Sequence, residues 1–102
     1  MDRLAMLTEI LAQNPTDTFA RYGLAMEYSS QGDIKKSLEE FGKRLSAHPD
    51  YAAGYFMAAQ TLMKVDRGEE AKTMLADGIS AARRSGNSHA QAEMQAMLDE
   101  LG

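Results

Sequence analysis

Cysteine and tryptophan are missing from the 102-residue chain, and proline occurs only twice. Without cysteine there is no disulfide framework, no thiolate zinc site and no thiol nucleophile. Apolar runs stop after a few residues, far short of the roughly 20 that a membrane-crossing helix needs. Met1 is followed by Asp2 and then by mixed residues, which does not read as a signal peptide; the expected location is cytoplasmic. Positive charge is scarce too. Eleven basic against 15 acidic residues leave a net charge of -4, whereas a phosphate backbone is bound by clustered Lys and Arg that displace its counterions. The densest basic group is the pair Arg83 and Arg84. Neither nucleic acid nor a membrane is an expected partner.

What is abundant is Ala, Leu, Met, Glu and Lys, which favour helix throughout. Leu4, Leu7, Ile10 and Leu11 form one stripe at helical spacing. That helix should stop by Asn14, because a residue before proline is pushed out of the helical region. Asp17 or Thr16 can cap a second helix whose apolar positions are Phe19, Tyr22, Leu24, Ala25, Met26 and Tyr28. Gly32 offers a left-handed stop, and Asp33 an acceptor for the start of the third helix, about Ile34 to Ala47. Ile34, Leu38, Phe41 and Leu45 line one side of that helix. Lys35, Lys36, Glu39, Glu40, Lys43 and Arg44 read as its solvated face, with Glu39–Lys43 and Glu40–Arg44 in the favourable order.

A fourth helix is expected from about Tyr51 to Val65. Asp66 with Glu69 then reads as a capping box opening a fifth helix that ends near Arg84. In its last turn Arg83 and Arg84 offset the negative end of the dipole. After Gly86, Ser88 with Gln91 repeats the capping-box logic for a sixth helix, with Ala90, Met94, Met97, Leu98 and Leu101 on one stripe. The spacing predicts an all-α chain of six antiparallel helices.

No titratable groups converge in this pattern. His48, at the end of the third helix, and His89, in the first turn of the sixth, each stand without a metal-ligand partner at three- or four-residue spacing and read as structural. The adjacent Asp99 and Glu100 read as solvated. Gly-rich phosphate loops and a serine in a nucleophile-elbow setting are both lacking. The chain is expected to be no enzyme, with no catalytic residues, metal or cofactor.

The two prolines, Pro15 and Pro49, lie 34 residues apart. Residues 18–51 laid over 52–85 match in class: Ala25 with Ala59, Tyr28 with Leu62, Ser37 with Ala71, Phe41 with Leu75, Leu45 with Ile79. Antiparallel helices approach closely only where small residues alternate with large ones, which is what these positions offer. The first helix joins the frame against the third, with Leu4, Leu7, Leu11 and Pro15 over Leu38, Phe41, Leu45 and Pro49. It reads as the second half of a repeat.

This pattern resembles the tetratricopeptide repeat, a helix-turn-helix unit of 34 residues. The second copy supplies Tyr55, Ala58, Ala59 and Leu62, then Ala71, Leu75 and Gly78. The first supplies Leu24, Ala25 and Tyr28, then Ser37, Phe41 and Pro49. It departs at Arg21, where a large aromatic is usual, and at Arg44, where a small residue is usual; the second copy has Arg83 in place of its proline. The resemblance implies a single domain over 1–102: a half repeat (1–15), two repeats (18–51 and 52–85) and a capping helix (87–101), stacked as an α-α superhelix.

The family generally binds peptides or helices in its concave groove, on the first helix of each pair. Carried onto this chain, that face gives Phe19, Tyr22, Met26, Phe56, Met57, Gln60 and Met63 as the partner-binding residues. The surplus of apolar side chains on helices that already have a core face suits a protein or peptide partner. Packing of the same residues within the domain is the plainer reading. Self-association, through this face or through the open side of the first helix, is the alternative function. A carboxylate-clamp chaperone peptide is not expected, because Tyr22 and Met26 stand where the clamp's first Lys and Asn would be and Met57 replaces its second Asn.

Overall fold

The computed structural model describes residues 2–102, so Met1, the first position of the expected half repeat, lies outside the described residues. Six α-helices and no strand occur among them: α1 Arg3–Gln13, α2 Thr18–Ser30, α3 Ile34–Ala47, α4 Ala52–Met63, α5 Gly68–Arg84 and α6 Ser88–Leu101. The chain divides into two compact units, Met1–Arg44 and Leu45–Gly102, with the boundary inside α3.

In the first unit Asp2 caps α1, its side chain accepting from the Ala5 amide at 2.7 Å. Asp17 caps α2 by accepting from the Ala20 amide at 2.9 Å. Leu7 and Leu11 of α1 are buried with Ala20 and Leu24 of α2, and Leu4 and Tyr28 pack against this cluster. Ile10 does not join it. Although it shares the spacing of its stripe, it is 37% exposed on the outer edge of α1. On α3, Ser37 is fully buried and its hydroxyl donates to the Ala25 carbonyl at 2.7 Å. Phe41, equally buried, meets the edge of the Tyr22 ring with centroids 6.0 Å apart.

The third helix is not solvated along its whole ionic side. The Glu40 side chain is only 12% exposed because it turns inward to Arg21, at 2.7 Å, while Lys43 lies 3.5 Å from its other oxygen. Arg21 occupies the place where an aromatic was missing, and its guanidinium also donates to the Pro15 carbonyl at 3.2 Å.

In the second unit, Ala58, Ala59, Ala71, Leu75, Ala81, Ala82 and Met94 are buried. Small residues let the helices close on one another. A Cβ on Gly78 of α5 would stand 2.5 Å from the Met94 sulfur of α6 and 2.6 Å from the Tyr55 Cβ of α4, so only glycine admits this approach. The Tyr55 hydroxyl donates to the Pro49 carbonyl at 2.7 Å. Arg84 holds the same turn from α5, 2.8 Å from Asp50 and 3.2 Å from the Pro49 carbonyl. That hydrogen bond to Asp50 raises the pKa of the arginine.

Two expected helix starts are corrected. Asp66 does not cap α5; it is the left-handed residue that ends the preceding turn, at φ 57°. The Arg67 amide then reaches back to the Leu62 carbonyl at 3.0 Å. The same closure follows Gly32 (Asp33 amide to Tyr28 carbonyl, 2.9 Å) and Gly86 (Asn87 amide to Ala82 carbonyl, 2.8 Å). With Asp66 used this way, Arg67 occupies the cap without a side-chain cap bond and pairs instead with Glu70 at 2.6 Å. At α6 the cap is Asn87, whose side chain accepts from the Ala90 amide at 3.1 Å, and Ser88 is already helical.

Candidate functional site

The expected binding residues fall on two helices, one in each unit. On α2, Phe19, Tyr22 and Met26 lie at spacings of three and four, hence on one face. Phe19 in the first turn is 84% exposed, the most exposed large apolar side chain among the described residues. Tyr22 and Met26 are half-buried, Tyr22 being held against Phe41. Gly23 beneath them is buried because Leu7 and the Arg3 guanidinium cross it; a Cβ there would meet Leu7 at 3.3 Å.

On α4, Phe56, Met57, Gln60 and Met63 are all half-buried. The opposite face of the helix carries the fully packed Ala58, Ala59 and Leu62. From Ala52 to Met63 this helix has no charged side chain. The two charges on α2 are both engaged within the first unit, Arg21 with Glu40 and Glu27 with Arg3 at 3.5 Å. Both faces therefore offer apolar, aromatic and thioether contacts without unpaired charge.

The residues weighed for chemistry stay apart. His48 is exposed beyond the end of α3, its carbonyl accepting from the Tyr51 amide. His89 does have a neighbour four residues on, the Glu93 carboxylate, because one helical turn brings the two together on the surface of α6. Sequence reasoning missed that pair, although the spacing was there to be read. No group of three or more His, Cys, Asp or Glu that could hold a metal occurs among the described residues. Nor is any helix among them long and apolar enough to cross a membrane.

No protein-family model matches the chain. A TPR repeat-containing protein of Pseudomonas aeruginosa is 24% identical over 95 residues, which cover 93% of this chain and 90% of that one. The solution structure of a tetratricopeptide repeat domain protein from Salinibacter ruber is 28% identical, with a TM-score of 0.79 over 86% of this chain and 89% of that one. The chain is similar to tetratricopeptide repeat proteins in both sequence and fold. A Bordetella parapertussis protein shares the fold at 22% identity, with a TM-score of 0.85 over 99% of this chain and 88% of that one. The tetratricopeptide-repeat-like fold commonly mediates protein–protein interaction, and proteins built on it are in general non-catalytic scaffolds.

Proposed function

We propose that this tetratricopeptide-repeat-like chain is a non-catalytic scaffold that binds a protein or peptide segment. The contacts are Phe19, Tyr22 and Met26 on α2 and Phe56, Met57, Gln60 and Met63 on α4. The observation that carries the reading is Phe19. A phenylalanine 84% exposed in a helical turn fixed by the Asp17 cap is an aromatic anchor without a pocket of its own. The partner segment is apolar and uncharged where it lies on α4, since a charge buried against that helix would find no counterion. For the same reason an acidic C-terminal chaperone peptide does not bind; a micromolar affinity for one would overturn this part.

Capture from the source organism's lysate with the immobilised chain, beside a Phe19→Ser and Met57→Lys double variant, tests the proposal. A partner lost with both substitutions supports it, and identical captures by the two forms refute it. The same face could serve a second copy, in which case light scattering shows a dimer that Phe56→Glu disrupts. The proposal includes the cytoplasmic location expected from the sequence, which cell fractionation checks.

A further inference from the structure

Besides Phe19, the large apolar side chains most exposed include Met6 at 45% and Ile10 at 37%, one helical turn apart on α1. The 34-residue frame explains why they are bare. Met6 and Ile10 are the counterparts of Glu40 and Arg44 on α3, and Arg3 is the counterpart of Ser37. On α3 that face is covered by α2: Arg21 meets Glu40, Tyr22 meets Phe41, and the Ser37 hydroxyl reaches the Ala25 carbonyl. In α1 Leu7 and the Arg3 guanidinium lean onto α2, whereas Met6 and Ile10 beside them carry no such helix among the described residues. Met6 and Ile10 form an apolar ridge, with the half-exposed Arg3, paired to Glu27, at one end.

At the other end of the sequence, α6 has the opposite character. One stripe of it, Met94 with Met97, Leu98 and Leu101, is turned inward. Another stripe, Ala92, Gln95, Ala96 and Asp99, is exposed. The helix has no Lys or Arg and carries Glu93, Asp99 and Glu100. It presents small side chains and acid, where the ridge of α1 presents large side chains with Arg3 at one end and Glu9 to its side.

We infer that α6 of a second copy docks antiparallel on α1, in the place that α2 takes on α3. Matching the first residue of α6, Ser88, to that of α2, Thr18, carries the α2–α3 contacts over residue by residue. Gln91 then lies against Met6, and Ala92 beside the buried Leu7, so the ridge runs along the small side of α6. Gln95 lies against Arg3. Gln95 already donates to Asp99 at 2.9 Å, so Arg3 arrives within one helical turn of that carboxylate. The contact joins unlike surfaces, so a pair of copies keeps one free α1 face and one free α6 face, and association is head-to-tail. It uses neither Phe19 nor the α4 face and stands independently of the proposed function.

Sedimentation equilibrium of the full chain across a concentration series, reaching about 1 mM to reveal weak contacts, tests this. The expected result is reversible association. Arg3→Asp and Asp99→Arg should each weaken it about tenfold, because like charges then face each other. The double variant Arg3→Asp/Asp99→Arg should recover it, and an equimolar mixture of the two single variants should form heterodimers. Arg3→Asp also breaks the pair with Glu27, so Glu27→Gln serves as the folding control and should leave association unchanged. A concentration-independent monomer overturns the inference. Association untouched by Asp99→Arg overturns it as well, and points instead to α1 packing on α1.

Discussion

The two repeats solve one packing problem with different chemistry. In each, a side chain near the start of the first helix reaches back to the carbonyl of the proline that closes the preceding helix. In the second repeat that side chain is Tyr55, whose ring packs and whose hydroxyl meets Pro49. In the first it is Arg21, which meets Pro15 while ion-paired to Glu40. The counterpart of Glu40 is Met74. Where the second repeat has an aromatic and a thioether, the first has a largely buried ion pair whose arginine performs the same tethering. Two other positions differ in kind: Ser37 against Ala71, and Arg44 against Gly78. At these positions the second repeat uses apolar close approach, the first directed polar contacts. Directed contacts lose their stabilisation when one partner is removed, whereas close approach fails when an atom is added.

The largest expected effect follows from adding an atom to the second repeat. Gly78→Ala should destabilise by about 1–3 kcal/mol despite the better helix propensity of alanine, because its Cβ collides with Met94 and Tyr55. Urea titration measures it, and a stabilised variant would show that α6 has room to shift. Next comes the ion pair. Arg21→Ala should cost about 1–2 kcal/mol, since Glu40 is left half-buried beside Lys43 alone and the Pro15 carbonyl loses a donor. The double variant Arg21→Tyr/Glu40→Met, which copies the second repeat into the first, should restore most of that loss. If it is as unstable as Arg21→Ala, the two solutions are not interchangeable.

Smaller effects sharpen the same contrast. Ala71→Ser should change stability by less than about 1 kcal/mol, because Ala59 is the counterpart of Ala25, whose carbonyl accepts from the Ser37 hydroxyl. A larger loss in thermal melts would mean that the new hydroxyl goes unpaired. Smallest is the Arg67–Glu70 pair at the exposed start of α5. Its hydrogen bond to Arg67 lowers the Glu70 pKa, so its contribution is complete above the ordinary carboxylate range. That contribution disappears as pH falls through the lowered folded value. The native chain should therefore melt slightly above Glu70→Gln at neutral pH and together with it in acid. A difference that persists in acid would assign the effect to something other than this carboxylate.

Much of this architecture was legible because the helices are amphipathic and the 34-residue frame places small residues opposite large ones. The limits of α3, the end of α5 and the left-handed Gly32 follow from local signals. Asp66 was misread because its spacing to Glu69 imitates a capping box, yet the frame itself carried the answer: Asp66 is the counterpart of Gly32. Asn87 was missed for a similar reason, standing after Gly86 as Asp33 stands after Gly32. Arg21 could be flagged only as a departure, since its partners, Pro15 and Glu40, are brought to it by the fold. Periodicity likewise could not separate Ile10 from Leu7 and Leu11. Whether a stripe residue is covered depends on the neighbouring helix, and that is a tertiary fact. On the expected binding face, side-chain type was readable, but the exposure of Phe19 was not.

The charge-free run of α4 has a practical consequence for solution conditions. Contacts made by Phe56, Met57 and Met63 involve no fixed charge, so added sodium chloride should scarcely change how strongly they hold and ammonium sulfate should strengthen them. A junction steered by Arg3 and Asp99 should respond to sodium chloride in the opposite way, loosening as the ions screen it. Ionic strength is thus a dial that acts on one surface of this small protein and leaves the other set.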